Sequence, residues 1–203
     1  MNRSQKTKQW LKKHNNDPFV KLARQQGYRS RAAYKLKELL PWVPKQKNIN
    51  ILELGAAPGG WTQVLVEHYP EARIVAIDLL AMDNVFGALF LKGDMRDDIL
   101  WDAIPKDMKP FHGILSDMMP NTSGDAVVDQ YALCDLLEHM EEIIHRELLP
   151  GGWVIIKYFE GHGIAQWRAR LKKHFTKIMM KKPEASRSAS KEQYLIGLGY
   201  KPH

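Results

Sequence analysis

Cysteine is almost missing: Cys134 stands alone in 203 residues. A single thiol excludes an internal disulfide and suits a reducing cytoplasm. No apolar run approaches the ~20 residues that span a bilayer. The amino-terminal residues are polar and basic, without the apolar stretch of a secretory signal. The eight histidines show no ligand spacing, so no metal site is expected. Repeats and low-complexity segments are also lacking. What remains is 44% hydrophobic, enough at this length for one globular domain with a full core.

Charge of one sign is scarce in some stretches and concentrated in others. Residues 1–35 hold ten Lys/Arg against a single acid, Asp17, and residues 168–191 hold nine against Glu184. Residues 36–167 hold ten basic and twenty acidic side chains. The net +7 therefore resides at the two ends. Two basic segments flanking an acidic middle suggest a polyanion docked across one face. A membrane surface is disfavoured, because no strong apolar face accompanies the lysines.

The middle of the chain is organised around residues 49–61. An apolar run (Ile49, Ile51, Leu52, Leu54) of strand length meets Gly55-Ala-Ala-Pro-Gly59-Gly60-Trp61, which opens a helix. A strand ending in a glycine turn at a helix start is how open α/β sheets hold nucleotide-like ligands. The dinucleotide pattern G-x-G-x-x-G is broken at Ala57 and stiffened by Pro58. Gly55, Gly59 and Gly60, with Glu53 before them, better suit the amino-acid end of S-adenosylmethionine. Further strands read at 72–78, 88–94, 111–117, 151–157, 175–180 and 194–200, with helices at 127–149 and about 163–174 between them. That alternation predicts an α/β fold with a mainly parallel sheet. The last strand follows a loop of about a dozen residues, short enough for antiparallel pairing. Before the sheet, residues 3–40 read as helices, with Trp10 and Leu11 apolar, Asp17-Pro18 as a helix start and Gly27 as a stop. We expect one domain over 1–203: a basic helical extension, 1–40, and a Rossmann-like core, 49–200. Because the glycine turn lies elsewhere, losing residues 1–28 is expected to harm polyanion binding but not cofactor binding.

Three strands end in an acid: Asp78, Asp94 and Asp117. In an open parallel sheet the carboxyl ends of the strands form the ligand crevice. Asp78 is spaced to hold ribose hydroxyls, Asp94 to accept from an adenine amino group, and Asp117 to lie near the reacting methyl. Lys157 interrupts the apolar run 153–159 and alternates with Trp153 and Ile155. Lysine is rarely buried without a partner, so it is expected to face the crevice.

Together these blocks resemble the FtsJ/RrmJ ribose 2′-O-methyltransferase family, in particular its bacterial branch acting on a uridine of large-subunit (23S) ribosomal RNA. The resemblance runs through Arg29-Ser-Arg-Ala-Ala-Tyr-Lys35, Leu54-Gly-Ala-Ala-Pro-Gly-Gly-Trp-Thr-Gln63, Asp78-Leu-Leu-Ala-Met-Asp83, Gly93-Asp94, Ser116-Asp-Met-Met-Pro-Asn121, Lys157-Tyr-Phe-Glu-Gly161 and Ser190-Lys-Glu192-Gln-Tyr194. It implies the class I methyltransferase fold, with seven strands and the last antiparallel. It also implies a catalytic set of Lys35, Asp117, Lys157 and Glu192. Cofactor contacts to S-adenosylmethionine are expected from Gly55, Gly59, Gly60, Trp61, Asp78, Asp94 and Asp117, and RNA contacts from Arg29, Arg31 and Lys35. Ala81, Met95 and Met119 depart from the family pattern, and the two methionines are expected to touch the cofactor crevice. The expected partner is ribosomal RNA within the large subunit, and the expected form is a cytoplasmic monomer. A transfer RNA target, or a catalytically silent assembly factor, remains as an alternative.

Overall fold

The computed structural model describes residues 16–187 and 190–202. Trp10 and Leu11 lie outside them. Seven strands, β1 (Asn50–Leu54), β2 (Arg73–Asp78), β3 (Ala88–Lys92), β4 (Phe111–Ser116), β5 (Leu148–Phe159), β6 (Phe175–Lys181) and β7 (Glu192–Tyr200), form one sheet in the order β3-β2-β1-β4-β5-β7-β6. The pairings from β3 to β5 are parallel. Strand β7 inserts between β5 and β6, antiparallel to both. The chain runs from β1 outward to β3, then returns to place β4 on the other side of β1. The carboxyl ends of β1 and β4 therefore flank the point where strand order reverses, which is where open sheets leave a crevice.

Helices cover both faces, and alternation along the strands assigns side chains to each. On one face α1 (Pro18–Gln26), α2 (Ala32–Leu39) and α3 (Gly60–His68) contribute Ala23, Leu36, Leu39 and Leu65 to a core with Ile51, Leu115, Trp153, Ile155 and Ile196. On the other, α4 (Asp98–Asp102), α5 (Ala126–Glu147) and α6 (Ile164–His174) contribute Trp101, Leu137, Ile144 and Leu171 to a core with Leu52, Val75, Ile114, Val154 and Ile156. The residues 16–40 are thus built into the first core. Asp17 caps α1 by accepting from the Phe19 amide at 3.0 Å. Gly27, in the left-handed region at φ 77°, closes the helix.

Several boundaries differ from expectation. The helix read as 127–149 ends at Glu147, because Leu148 leaves it to pair with Phe111 across a register shift in the β4–β5 ladder. The last of the helices read within residues 3–40 ends at Leu39, and Leu40–Trp42 continue as a 3-10 turn. Helix α4 is five residues long, too short to carry a periodic signal.

Candidate active site

At the end of β1 the amides of Gly55 and Ala56 both donate to the Ile77 carbonyl of β2, at 2.9 and 3.2 Å. The Asp78 carboxylate then ties the turn to the β2–β3 loop. It accepts from the Ala57 amide through Oδ2 and from the Leu80 amide through Oδ1, both at 2.8 Å. Gly55 and Gly59 hold φ of 79° and 103°, conformations that favour glycine. Close approach adds a second reason. A Cβ on Gly59 would lie 2.7 Å from an Arg29 guanidinium nitrogen, and one on Gly60 2.3 Å from Ser30 Oγ. The α1–α2 connection therefore packs directly on the turn. This long-range contact is not visible in a local glycine pattern.

Beneath the turn, Glu53 points to the α1–α3 face and is 1% exposed. Its Oε2 accepts from Thr62 Oγ1 at 2.7 Å, while Oε1 is buried without a hydrogen-bond partner. Burial pushes its carboxyl up to about 8; the Thr62 bond opposes this and the nearby Asp117 and Asp78 charges reinforce it. The Trp61 indole is also buried, donating to the Ala32 carbonyl at 2.8 Å and packing on the Tyr194 ring. Its side chain is committed to the α2–α3 contact instead of the crevice.

The four expected catalytic residues arrive from three elements and one strand end. Lys157 lies opposite Tyr194 in the β5–β7 ladder, and Phe159 opposite Glu192. Lys157 Nζ donates to the Asp117 main-chain carbonyl and lies 3.1 Å from Asp117 Oδ1. That same Oδ1 accepts from the Tyr194 hydroxyl at 2.8 Å. From α2, Lys35 reaches Glu192 with Nζ 2.7 and 2.8 Å from its two oxygens. Ser186 Oγ donates to Glu192 Oε1 at 2.7 Å. Burial favours the neutral acid at Glu192, yet the Lys35 charge and bond, the Ser186 bond and the Lys157 charge hold it below the ordinary carboxylate range. Burial, then the Asp117 and Glu192 charges, keep the Tyr194 phenol far above its usual value. Tyr194 and Ser186 were not singled out from sequence. The signal for Tyr194 was available, since residues 192 and 194 share a face of one strand.

The residues expected to meet RNA are engaged within the chain. Arg29 donates to the carbonyls of Pro58, Asp83 and Asn84 at 3.3, 2.5 and 2.9 Å. Arg31 pairs with Asp17 and donates to the Ala185 carbonyl. Lys35 sits between Glu192 and the Tyr194 ring, 5.9 Å from its centroid. Asp94, expected at adenine, is gripped by the Arg96 guanidinium at 2.6–3.2 Å. Hydrogen bonds from that side chain and from the Arg96 amide hold its carboxyl low. Met95 is buried in the core of the α4–α6 face, whereas Met119 is 38% exposed.

Residues 28–200 match the FtsJ-like methyltransferase family. The chain belongs to that family. A protein of Acidithiobacillus ferrooxidans named ribosomal RNA large subunit methyltransferase E is 44% identical, over 98% of this chain and 93% of its own. One of the same name from Pseudomonas aeruginosa is 38% identical over 99% of both. The crystal structure of a ribosomal RNA methyltransferase from Plasmodium falciparum superposes with TM-score 0.76 at 28% identity, covering 87% of this chain and 100% of its own.

FtsJ-like methyltransferases of this type take their methyl group from S-adenosylmethionine. The residues here fit that donor. The buried Glu53 Oε1 is an acceptor without a partner, beneath the glycine turn, chemistry that suits a cationic group. Asp78 stands at the end of β2, a carboxylate of the kind that accepts from hydroxyls.

Proposed function

We propose that this FtsJ-family chain methylates the 2′-hydroxyl of a uridine in large-subunit ribosomal RNA, acting as a cytoplasmic monomer. The observation that carries the reading is the cluster in which Lys157, Asp117 and Tyr194 meet beside the glycine turn, with Lys35 and Glu192 adjoining. The names of the bacterial relatives and the basic segment 168–191 support the ribosomal target. Gly55, Gly59, Gly60 and Asp78 would hold S-adenosylmethionine, with Asp94 and Asp117 bounding the site. When bound, it supplies an electrophilic methyl group carried on sulfur.

Within this chain, Lys157 Nζ takes the 2′-hydroxyl proton, a role open only to the neutral amine. A positioned base contributes typically ~10²–10⁴-fold. Asp117 Oδ1, 3.1 Å away, orients the amine and stabilises the ammonium that forms. The Tyr194 hydroxyl, donating to the same oxygen, fixes that carboxylate. The Lys35–Glu192 pair flanks the strand ends and keeps the β7 terminus in place. Arg29 and Arg31 act in this reading through the shape of the RNA-facing surface, and any phosphate contact they make is shared with their internal bonds.

The test is to map 2′-O-methylation in ribosomal RNA from cells lacking the protein, complemented with wild type or with Lys157→Ala. One uridine of the large subunit should lose its methyl group and regain it only with wild type. An unchanged methylation map, or full rescue by Lys157→Ala, would overturn the proposal.

A further inference from the structure

Arg29 is a half-buried arginine in the basic amino-terminal stretch, the type of residue that commonly contacts phosphates. Its bonds point inward instead. One guanidinium reaches the glycine turn at the Pro58 carbonyl and the β2–β3 loop at the Asp83 and Asn84 carbonyls, at 3.3, 2.5 and 2.9 Å. The turn accommodates it, since a Cβ on Gly59 would meet the guanidinium at 2.7 Å and Met82 Sδ at 3.3 Å. The arginine's own backbone is fixed from α3: the Arg29 amide donates to Gln63 Oε1 at 2.9 Å, and Gln63 Nε2 donates to the Gly27 carbonyl at 3.0 Å.

The loop it holds runs from Asp78 to β3 and exposes much of its apolar surface, with Leu79, Leu80 and Phe86 at 62, 68 and 98%. Packing therefore does little to hold it in place. Its first residues are tied by Asp78 to the Leu80 amide and its last by the Ala88 amide to the Val85 carbonyl. Between these ties, the carbonyls of residues 83 and 84 are held by Arg29. A planar guanidinium carries five N–H groups in fixed directions and can serve several carbonyls at once; an ammonium on a flexible stem is a poor replacement.

We infer that Arg29 is a positioning residue for the methyl donor, latching the β2–β3 loop onto the glycine turn so that Asp78 and the turn present one preformed surface. The inference rests on the cofactor site described above. It assigns to the amino-terminal segment a part in cofactor affinity, separate from any attraction for RNA.

The full chain should be compared with Arg29→Ala and Arg29→Lys, using calorimetric binding of S-adenosylmethionine, hydrogen exchange, and RNA binding across salt. Both variants should bind the donor ~10-fold or more weakly, with no rescue by lysine. The Michaelis constant for the donor should rise, while turnover at saturating donor stays within about two-fold. Amides of residues 81–86 should exchange faster, and the salt slope for RNA should hold. Donor affinity within two-fold of wild type, with a shallower RNA slope, would overturn the inference and make Arg29 a phosphate ligand. Asp78→Ala run alongside separates the two levels. If it loses donor affinity while the Arg29 variants keep theirs, the latch alone fails; if it too keeps its affinity, the cofactor-site reading fails with it.

Discussion

Glu53→Gln isolates a single buried proton, and its consequence is a pH slope. Glu53 is fully enclosed between β1 and α3, with one hydrogen bond from Thr62 and one oxygen without a partner. Its carboxyl is raised from 4.5 to about 8, so the folded chain holds a proton that the unfolded chain releases above pH 4.5. A folded state that binds more protons loses stability as pH rises. The loss therefore runs from about pH 4.5 to about 8, and Glu53 contributes most to stability below that window. At about 1.4 kcal/mol per pH unit, the accumulated cost at pH 7 is on the order of 3 kcal/mol. Glutamine keeps the shape and cannot ionise. Its amide places a donor where the unpartnered oxygen lies, which adds a constant offset and no slope. Urea unfolding of both proteins at pH 5, 6, 7, 8 and 9 gives the stability difference, in which every other titrating group largely cancels. The variant should gain on wild type by about 1.4 kcal/mol per unit between pH 5 and 7 and level off above 8. A difference that stays flat across the series would show that Glu53 is already ionised when folded and that the burial argument is wrong.

Other consequences are shorter to state. Lys157→Arg keeps the charge but cannot accept a proton at workable pH; single-turnover methylation should fall by ~10²-fold or more, and donor and RNA affinities should hold. A near-normal rate in that variant would leave Lys157 a positioning cation. Lys35→Met should destabilise the fold by roughly 3 kcal/mol, near the lower end for a broken buried pair, because Ser186 and Lys157 still face Glu192; adding Glu192→Gln should recover much of it in urea titrations at pH 7. Glu192 is held below its ordinary range, so its contribution is present above pH 4.5 and lost as pH falls through the lowered folded value. The double variant should lack that acid-side loss, and an unchanged acid limb would contradict the pairing.

The sheet was legible because its residues speak locally. Alternation placed Trp153, Ile155 and Lys157 on one face, and the structure packs the first two with α1–α3. The glycine turn and the strand-end acids follow from the same short-range pattern. Partners of charged side chains do not. Arg29, Arg31 and Lys35 looked like an RNA-facing set because they are basic and close in sequence, yet their partners lie between 14 residues before and 157 after them. Asp94 looked available to adenine, but Arg96, two residues on, grips it. Tyr194 shares a strand face with Glu192, but that pattern does not reveal its partner. An apolar strand absorbs a tyrosine without comment, and only the antiparallel register against Lys157 shows that its hydroxyl meets Asp117.

Placing the amino-terminal helices in the first core changes what a truncation should do. Sequence pattern alone treats residues 1–28 as an arm for RNA, whose loss spares the cofactor. In the structure that cut removes Val20 and Ala23, which are buried, and Gly27, whose carbonyl anchors Gln63. It also removes Tyr28, which hydrogen-bonds Glu67 on α3. Arg29 would remain, but as a chain end without the helix that aims it. Donor affinity should therefore fall in the truncated chain, and RNA affinity with it. Replacing the lysines and arginines among residues 1–24 by glutamine removes charge without removing α1. That chain should bind the donor normally while its RNA salt slope becomes shallower, by about 0.7–0.9 for each phosphate the protein no longer neutralises. Calorimetry on the two proteins separates the roles: if the truncated chain binds the donor as tightly as wild type, α1 is an appendage after all, and the glycine turn stands without it.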